Sequence, residues 1–259
     1  MQDLHITLCQ SNIIWEQAEA NRKHLNQLLE KLGSDETDII IFPEMFTTGF
    51  TMASESLAEE TLGLTQEWMK SLAIQKNAAV TGSLIIKDES TYRNRLLWVD
   101  PQSENPQFYD KKHLFTLAGE ENHYVAGHKK LNISYKSWKI GVFICYDLRF
   151  PVWCRNTDGL DLLIFVANFP EKRQQAWNTL LPARAIENQC FVAGVNRIGS
   201  DGNGIYYSGD SAVFDFEGSK IADLKNQEQH QTIKLDHHSL QVYKRAYPFL
   251  KDDDLFHID

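Results

Sequence analysis

Residues 139–154 read KIGVFICYDLRFPVWC, an apolar run that ends on Cys145 and is followed at once by an aromatic residue, an acid and, two positions on, a base. A short stretch rich in Val, Ile and Phe reads as a buried strand, which puts Cys145 at its carboxyl end. In layered α/β folds, strand ends and the loops beyond them are where sites are assembled. Cys145 then has two readings. As one of the most often buried residue types it belongs to the core. With a base to take its proton and a donor for the developing oxyanion, it is a nucleophile.

The same alternation of short apolar segments and amphipathic ones extends in both directions. Leu4, Ile6 and Leu8 alternate with polar residues as on a strand. WEQAEANRKHLNQLLEKLG (15–33) then places Leu25, Leu28, Leu29 and Leu32 at helical spacing and predicts a helix that stops at Gly33. DIIIFPE (38–44) reads as a buried strand broken by Pro43, and residues 59–77 as a second helix before the strand AAVTGSLIIKD (78–88). Residues 91–112 give two strands about a polar turn, DLLIFVANF (161–169) another buried strand, and RQQAWNTLLPARAIENQ (173–189) a helix apart from Pro182. The segments from 190 to 236 are mostly strands separated by Gly-containing turns and predict a meander that closes the sheet system. The class is layered α/β, with no linker or repeat to divide a single domain spanning residues 1–259.

Composition narrows the function. The formal charge of −9, from 35 acids against 26 Lys and Arg, disfavours a nucleic-acid partner. No apolar stretch approaches the roughly 18 residues that a membrane span needs, and MQDLHITLCQ has no signal-like apolar region, so a cytoplasmic protein without a membrane partner is expected. Four cysteines (Cys9, Cys145, Cys154, Cys190) without a CxxC make neither a disulfide framework nor a metal site.

Three strand ends carry reactive side chains: Glu44, Lys111 or Lys112, and Cys145. A glutamate serves as base, a lysine as oxyanion donor, and the N–H of Tyr146 as a second donor. A Cys-His pair through His113 or His123 is the competing arrangement, although the flanks of Cys145 lack the small residues of a nucleophile elbow. Glu44 also reads as a loop charge, and DKK as an exposed basic turn.

Taken in order, FPEMF (42–46), YDKKHLF (109–115) and ICYDLRFP (144–151) resemble the nitrilase superfamily of carbon-nitrogen hydrolases. The stretch 167–211, ANFPEKRQQAW through GIYYSGDS, extends the resemblance over most of the chain, above all to the omega-amidase-like bacterial branch. The resemblance implies an α-β-β-α sandwich of two mixed sheets with outer helices, and a homodimer paired through a helix layer. It implies Glu44 as general base, Lys111 (two before His113) as the oxyanion-stabilising cation and Cys145 as nucleophile, held as thiolate beside the ammonium. Glu120, seven before Gly127, would orient Lys111. The substrate would be a small amide of the 2-oxoglutaramate or 2-oxosuccinamate kind, with no cofactor. Arg149 and Arg173 are the candidate clamps for its far carboxylate, with Tyr146 and Phe169 as further contacts. The C-terminal stretch YPFLKDDDLFHID (247–259) is a candidate dimer arm.

Overall fold

The computed structural model describes residues 2–254 and residue 256. In chain order the strands are β1 (Leu4–Gln10), β2 (Ile39–Ile41), β3 (Ala79–Asp88), β4 (Thr91–Val99), β5 (Gln107–Asp110), β6 (Asn132–Tyr135) and β7 (Trp138–Ile144). They continue as β8 (Leu162–Ala167), β9 (Phe191–Asn196), β10 (Ile198–Ser200), β11 (Tyr206–Ser208), β12 (Ala212–Phe214), β13 (Lys220–Asp223) and β14 (Gln229–Leu235). The helices are α1 (Ala18–Leu28), α2 (Ser54–Leu57), α3 (Leu64–Lys76), α4 (Gln174–Asn188) and α5 (His237–Ala246).

Two six-stranded sheets form, ordered β14-β1-β2-β3-β4-β5 and β13-β12-β9-β8-β7-β6, beside a β10–β11 ribbon. Each is parallel at its centre (β1, β2, β3 and β7, β8, β9) and antiparallel towards its edges. The three isoleucines of β2 explain the layering. Successive side chains point to opposite faces of a strand. Ile39 and Ile41 enter the core between the sheets with Leu4, Ile6, Leu8, Val142 and Ile144, while Ile40 packs with Leu25 and Leu29 of the α1 segment and Met69 and Leu72 of α3. A strand buried on both faces cannot alternate apolar with polar, hence the continuous apolar run. Trp177, Leu181 and Ala185 of α4 and Leu240 of α5 cover the second sheet, completing an α-β-β-α sandwich.

Three local expectations are corrected. The first helix ends at Leu28, a turn before Gly33, because Leu29 and Leu32 reach the core from the turn that follows and Gly33 N–H instead donates to Glu36 Oε2 at 2.9 Å. α4 runs through Pro182, whose missing N–H costs one helical bond that the buried face of Trp177, Leu181 and Ala185 outweighs. The C-terminal strands are not one meander: β12 and β13 extend the second sheet, whereas β14 crosses to the first and pairs antiparallel with β1. Of the C-terminal stretch, Phe249–Asp252 forms a single 3-10 turn and Asp253 pairs with Arg155, while Leu255 and residues 257–259 lie outside the described residues. No helix among those described is long and apolar enough to cross a membrane.

Gly194 of β9 lies under α4, where a Cβ would sit 2.5 Å from Leu181 Cδ1 and 2.8 Å from the Trp177 ring. Gly194→Ala is expected to destabilise the protein by ~1–3 kcal/mol through overpacking, measured as a lower denaturant midpoint at unchanged slope.

Candidate active site

The parallel strands of both sheets deliver their carboxyl ends to one place. Glu44 follows β2 and Pro43, Cys145 follows β7 and Asn168 follows β8, while Lys111 stands directly after β5. Lys111 is held along its main chain: its N–H donates to Asn94 O at 3.0 Å and its carbonyl accepts Gly127 N–H at 2.8 Å. Gly127 must be glycine for that approach, since a Cβ there would lie 2.2 Å from Asp110 O. Glu120 opens a short 3-10 turn after Gly119, whose φ of +71° suits glycine.

Lys111 Nζ lies 2.8 Å from Glu44 Oε1 and 2.9 and 3.1 Å from the two oxygens of Glu120, and all three side chains are buried. Glu120 is thus brought to the lysine, whereas Glu121 is exposed. The register resolves to Lys111: Lys112 points away, its ammonium 5.3 Å from the Trp153 ring. His113 bonds Asp147 and stacks on Phe150, and His123 is exposed, so neither supplies a base to Cys145. Cys9, Cys154 and Cys190 are fully buried core residues.

Cys145 differs from those three. It is half-buried, has a φ of +46°, and turns the chain from β7 into a 3-10 segment, Cys145–Arg149. A non-glycine residue in the left-handed region is strained. An elbow therefore forms without small flanking residues, its strain borne by the surrounding bonds. Its Sγ is 3.8 Å from Asn168 O. Tyr146 N–H opens the 3-10 turn, where main-chain donors have no intrahelical acceptor.

Electrostatics run against the expectation of a thiolate held beside the ammonium. Burial and the Glu44 charge push the Cys145 thiol well above its ordinary range, and Lys111 only partly opposes them. Burial also disfavours the Lys111 ammonium, but Glu120 and Glu44 outweigh it and hold the ammonium charged above the usual lysine range. Burial raises the Glu120 carboxyl, with Lys111 opposing and Glu44 assisting. Burial and Glu44 thus act on the thiol in one direction and Lys111 in the other.

Cys145 and Lys111 open on a cavity of about 610 Å³ that also exposes Tyr146, Arg149, Phe169 and Arg173. The Arg149 guanidinium lies 5.6 Å from the Phe169 ring centroid, and that of Arg173 lies 4.9 Å from Phe115 and 6.0 Å from Phe169. Among the described residues neither arginine has a carboxylate within ion-pair distance, and Asp147 is taken by His113.

Three supporting residues escaped the sequence reading. Asn94 of β4 donates through Nδ2 to Glu44 Oε1 at 2.8 Å and more weakly to Glu120 Oε1 at 3.4 Å. Ser83 of β3 fixes Asn94 by donating to its Oδ1 at 2.8 Å. Asn168 N–H donates to Glu44 Oε2 at 2.9 Å. Asn168 stands in ANFP, within the stretch that carried the resemblance; nothing in TYRNRLLWV distinguishes Asn94 from an ordinary strand residue.

A buried glutamate–lysine cluster facing a strained cysteine, on a sandwich of this order, is a carbon-nitrogen hydrolase arrangement. Residues 5–245 match the carbon-nitrogen hydrolase family, and the chain belongs to it. It is 43% identical over 264 residues to the omega-amidase YafV of Escherichia coli K12, covering 100% of both chains. It is 32% identical to the 2-oxoglutaramate amidase of Bacillus subtilis, over 95% of this chain and 96% of that one. Among solved structures, XC1258 of Xanthomonas campestris, a CN-hydrolase superfamily protein with an arsenic adduct in its active site, superposes with a TM-score of 0.97 at 42% identity, covering 100% of each chain.

The Glu44 charge raises the thiol, so Glu44→Gln should lower it, with Lys111 left to favour the thiolate. The pH profile of Cys145 alkylation by iodoacetamide is expected to shift to lower pH in Glu44→Gln, while turnover is lost. An unchanged or upward shift would contradict the electrostatic account.

Proposed function

We propose that the protein is an omega-amidase that hydrolyses the terminal amide of small 2-oxo dicarboxylic acids, 2-oxoglutaramate or 2-oxosuccinamate, to the dicarboxylate and ammonia. The observation that carries this is the pair of half-buried guanidiniums, Arg149 and Arg173, unpaired among the described residues and lining the same cavity as Cys145. A distal substrate carboxylate would complete them. The names of the E. coli and B. subtilis relatives agree.

In this reading Cys145 Sγ attacks the amide carbon as its proton passes to Glu44. The oxyanion is held by the Lys111 ammonium and Tyr146 N–H. As the tetrahedral intermediate collapses, the C–N bond breaks and nitrogen takes the proton from Glu44, leaving as ammonia. Water then attacks the thioester, giving its proton to Glu44, and Cys145 Sγ departs and is reprotonated. Glu120 keeps Lys111 charged and aimed, and the Phe169 ring forms cavity wall beside both arginines. The unpaired thiols suit a reducing, cytoplasmic location.

Ammonia release from a panel of amides and nitriles tests the assignment. 2-Oxoglutaramate is expected to exceed an uncharged amide of the same length by roughly a hundredfold or more in kcat/KM. Arg173→Ala should reduce that ratio about tenfold or more, with a smaller loss for Arg149→Ala, and leave Cys145 alkylation unchanged. Preference for a neutral nitrile or an N-carbamoyl compound would overturn it.

We also propose a homodimer through the helix layer of the second sheet, where Ile186, Val242, Tyr247 and Phe249 are exposed apolar residues on and just beyond α4 and α5. Sedimentation at micromolar concentration should give two subunits, and a monomer would refute it.

A further inference from the structure

The motifs YDKKHLF and CYDLRFP carry Tyr109, His113 and Asp147, which the proposed chemistry leaves unused. Asp147 is fully buried, and among the described residues it has no lysine or arginine within ion-pair distance. Hydrogen-bond donors fill its oxygens instead. Oδ1 accepts the main-chain N–H of His113 at 3.0 Å and lies 2.8 Å from His113 Nδ1. Oδ2 accepts Tyr109 O–H at 2.7 Å and Ile144 N–H at 3.0 Å. The carboxylate can only accept, so Nδ1 carries the hydrogen. Tyr109 O is itself fixed by Trp153 Nε1–H at 2.9 Å and Lys112 N–H at 3.3 Å, and the His113 ring lies flat on Phe150, centroids 3.7 Å apart and planes within 4°.

Most of these donors therefore come from the residues two places either side of Lys111, and the remaining one from the residue just before Cys145. We infer that the Asp147 carboxylate, gripping His113 and Tyr109, is the pin that sets the distance from Lys111 to Cys145, and that His113 is a positioning residue acting through Lys111. Lys111 stands just beyond the end of β5, where its main-chain bonds run to Asn94 and Gly127 and none to the segment of Cys145, which sits in a strained turn; Asp147 is what joins the two segments. The two charged motifs must then occur together because one carboxylate binds both. A lysine displaced by about 1 Å from the developing oxyanion costs on the order of a hundredfold in rate.

The inference rests on the proposed roles of Lys111 and Cys145, and its test separates the two. His113→Ala removes the ring donor and the stack on Phe150 but keeps the main-chain N–H; His113→Asn offers an amide N–H near the place of Nδ1. For His113→Ala, kcat should fall roughly 10- to 100-fold with KM changed less than about threefold, and iodoacetamide should alkylate Cys145 within about twofold of the native rate, since alkylation needs no oxyanion donor. His113→Asn should recover most of the loss. Tyr109→Phe should cost about tenfold in kcat, and Lys112→Ala less than about threefold. Native kcat in His113→Ala overturns the inference, as does an asparagine variant as impaired as the alanine one. So does alkylation that falls in step with kcat, because the damage would then be to the nucleophile turn as a whole. Native turnover in Lys111→Ala would instead sink the chemical reading on which the inference stands.

Discussion

The Lys111 ammonium, buried between the carboxylates of Glu44 and Glu120, is the constraint on which the rest of the site depends. Taking three charges out of water costs several kcal/mol per ion, and mutual attraction repays it only when the remaining lone pairs are filled. Here they are filled from three separate segments, Asn94 from β4, Phe115 N–H and Asn168 N–H, with Ser83 fixing Asn94 from behind. Removing one partner of such a cluster typically costs ~3–5 kcal/mol, because the other charges stay buried. The same bonds that make the cluster tolerable tie the ends of β2, β5 and β8 to one point.

The cluster has a chemical consequence. Burial and the Glu44 charge both raise the neighbouring thiol against the pull of Lys111, and in the proposed chemistry Glu44 is also the group that takes its proton. A stable thiolate would be reactive towards any electrophile that entered the cavity; a protonated thiol beside a base is deprotonated only as the attack proceeds. The positive φ of Cys145 fits the same economy. The strain is local, and the bond from Ile144 N–H to Asp147 and the burial of Leu148 immediately around it over-determine the turn.

In the proposed function, specificity falls to side chains outside the buried cluster. Arg149 belongs to the nucleophile turn and Arg173 leads into α4, and both lie near the aromatic face of Phe169. They line the cavity and do not enter the buried cluster, so in the proposed function chemistry and recognition rest on separate charges.

Much of this was legible in the amino-acid sequence, for a physical reason. Strand periodicity and helical spacing are local properties, so the α/β layering, β7 and the placement of Glu44, Lys111 and Cys145 at strand ends follow from residue order alone. The choice of Lys111 over Lys112 follows from motif spacing, and alternate residues of an extended chain do face opposite ways. What the sequence did not determine depends on contacts between distant segments. The return of β14 to β1, the passage of α4 through Pro182, the grip of Asn94 on two carboxylates and the upward push on the Cys145 thiol are all decided by groups tens of residues away. A charge is tuned by whatever lies within a few ångströms of it, and only the tertiary structure fixes what that is.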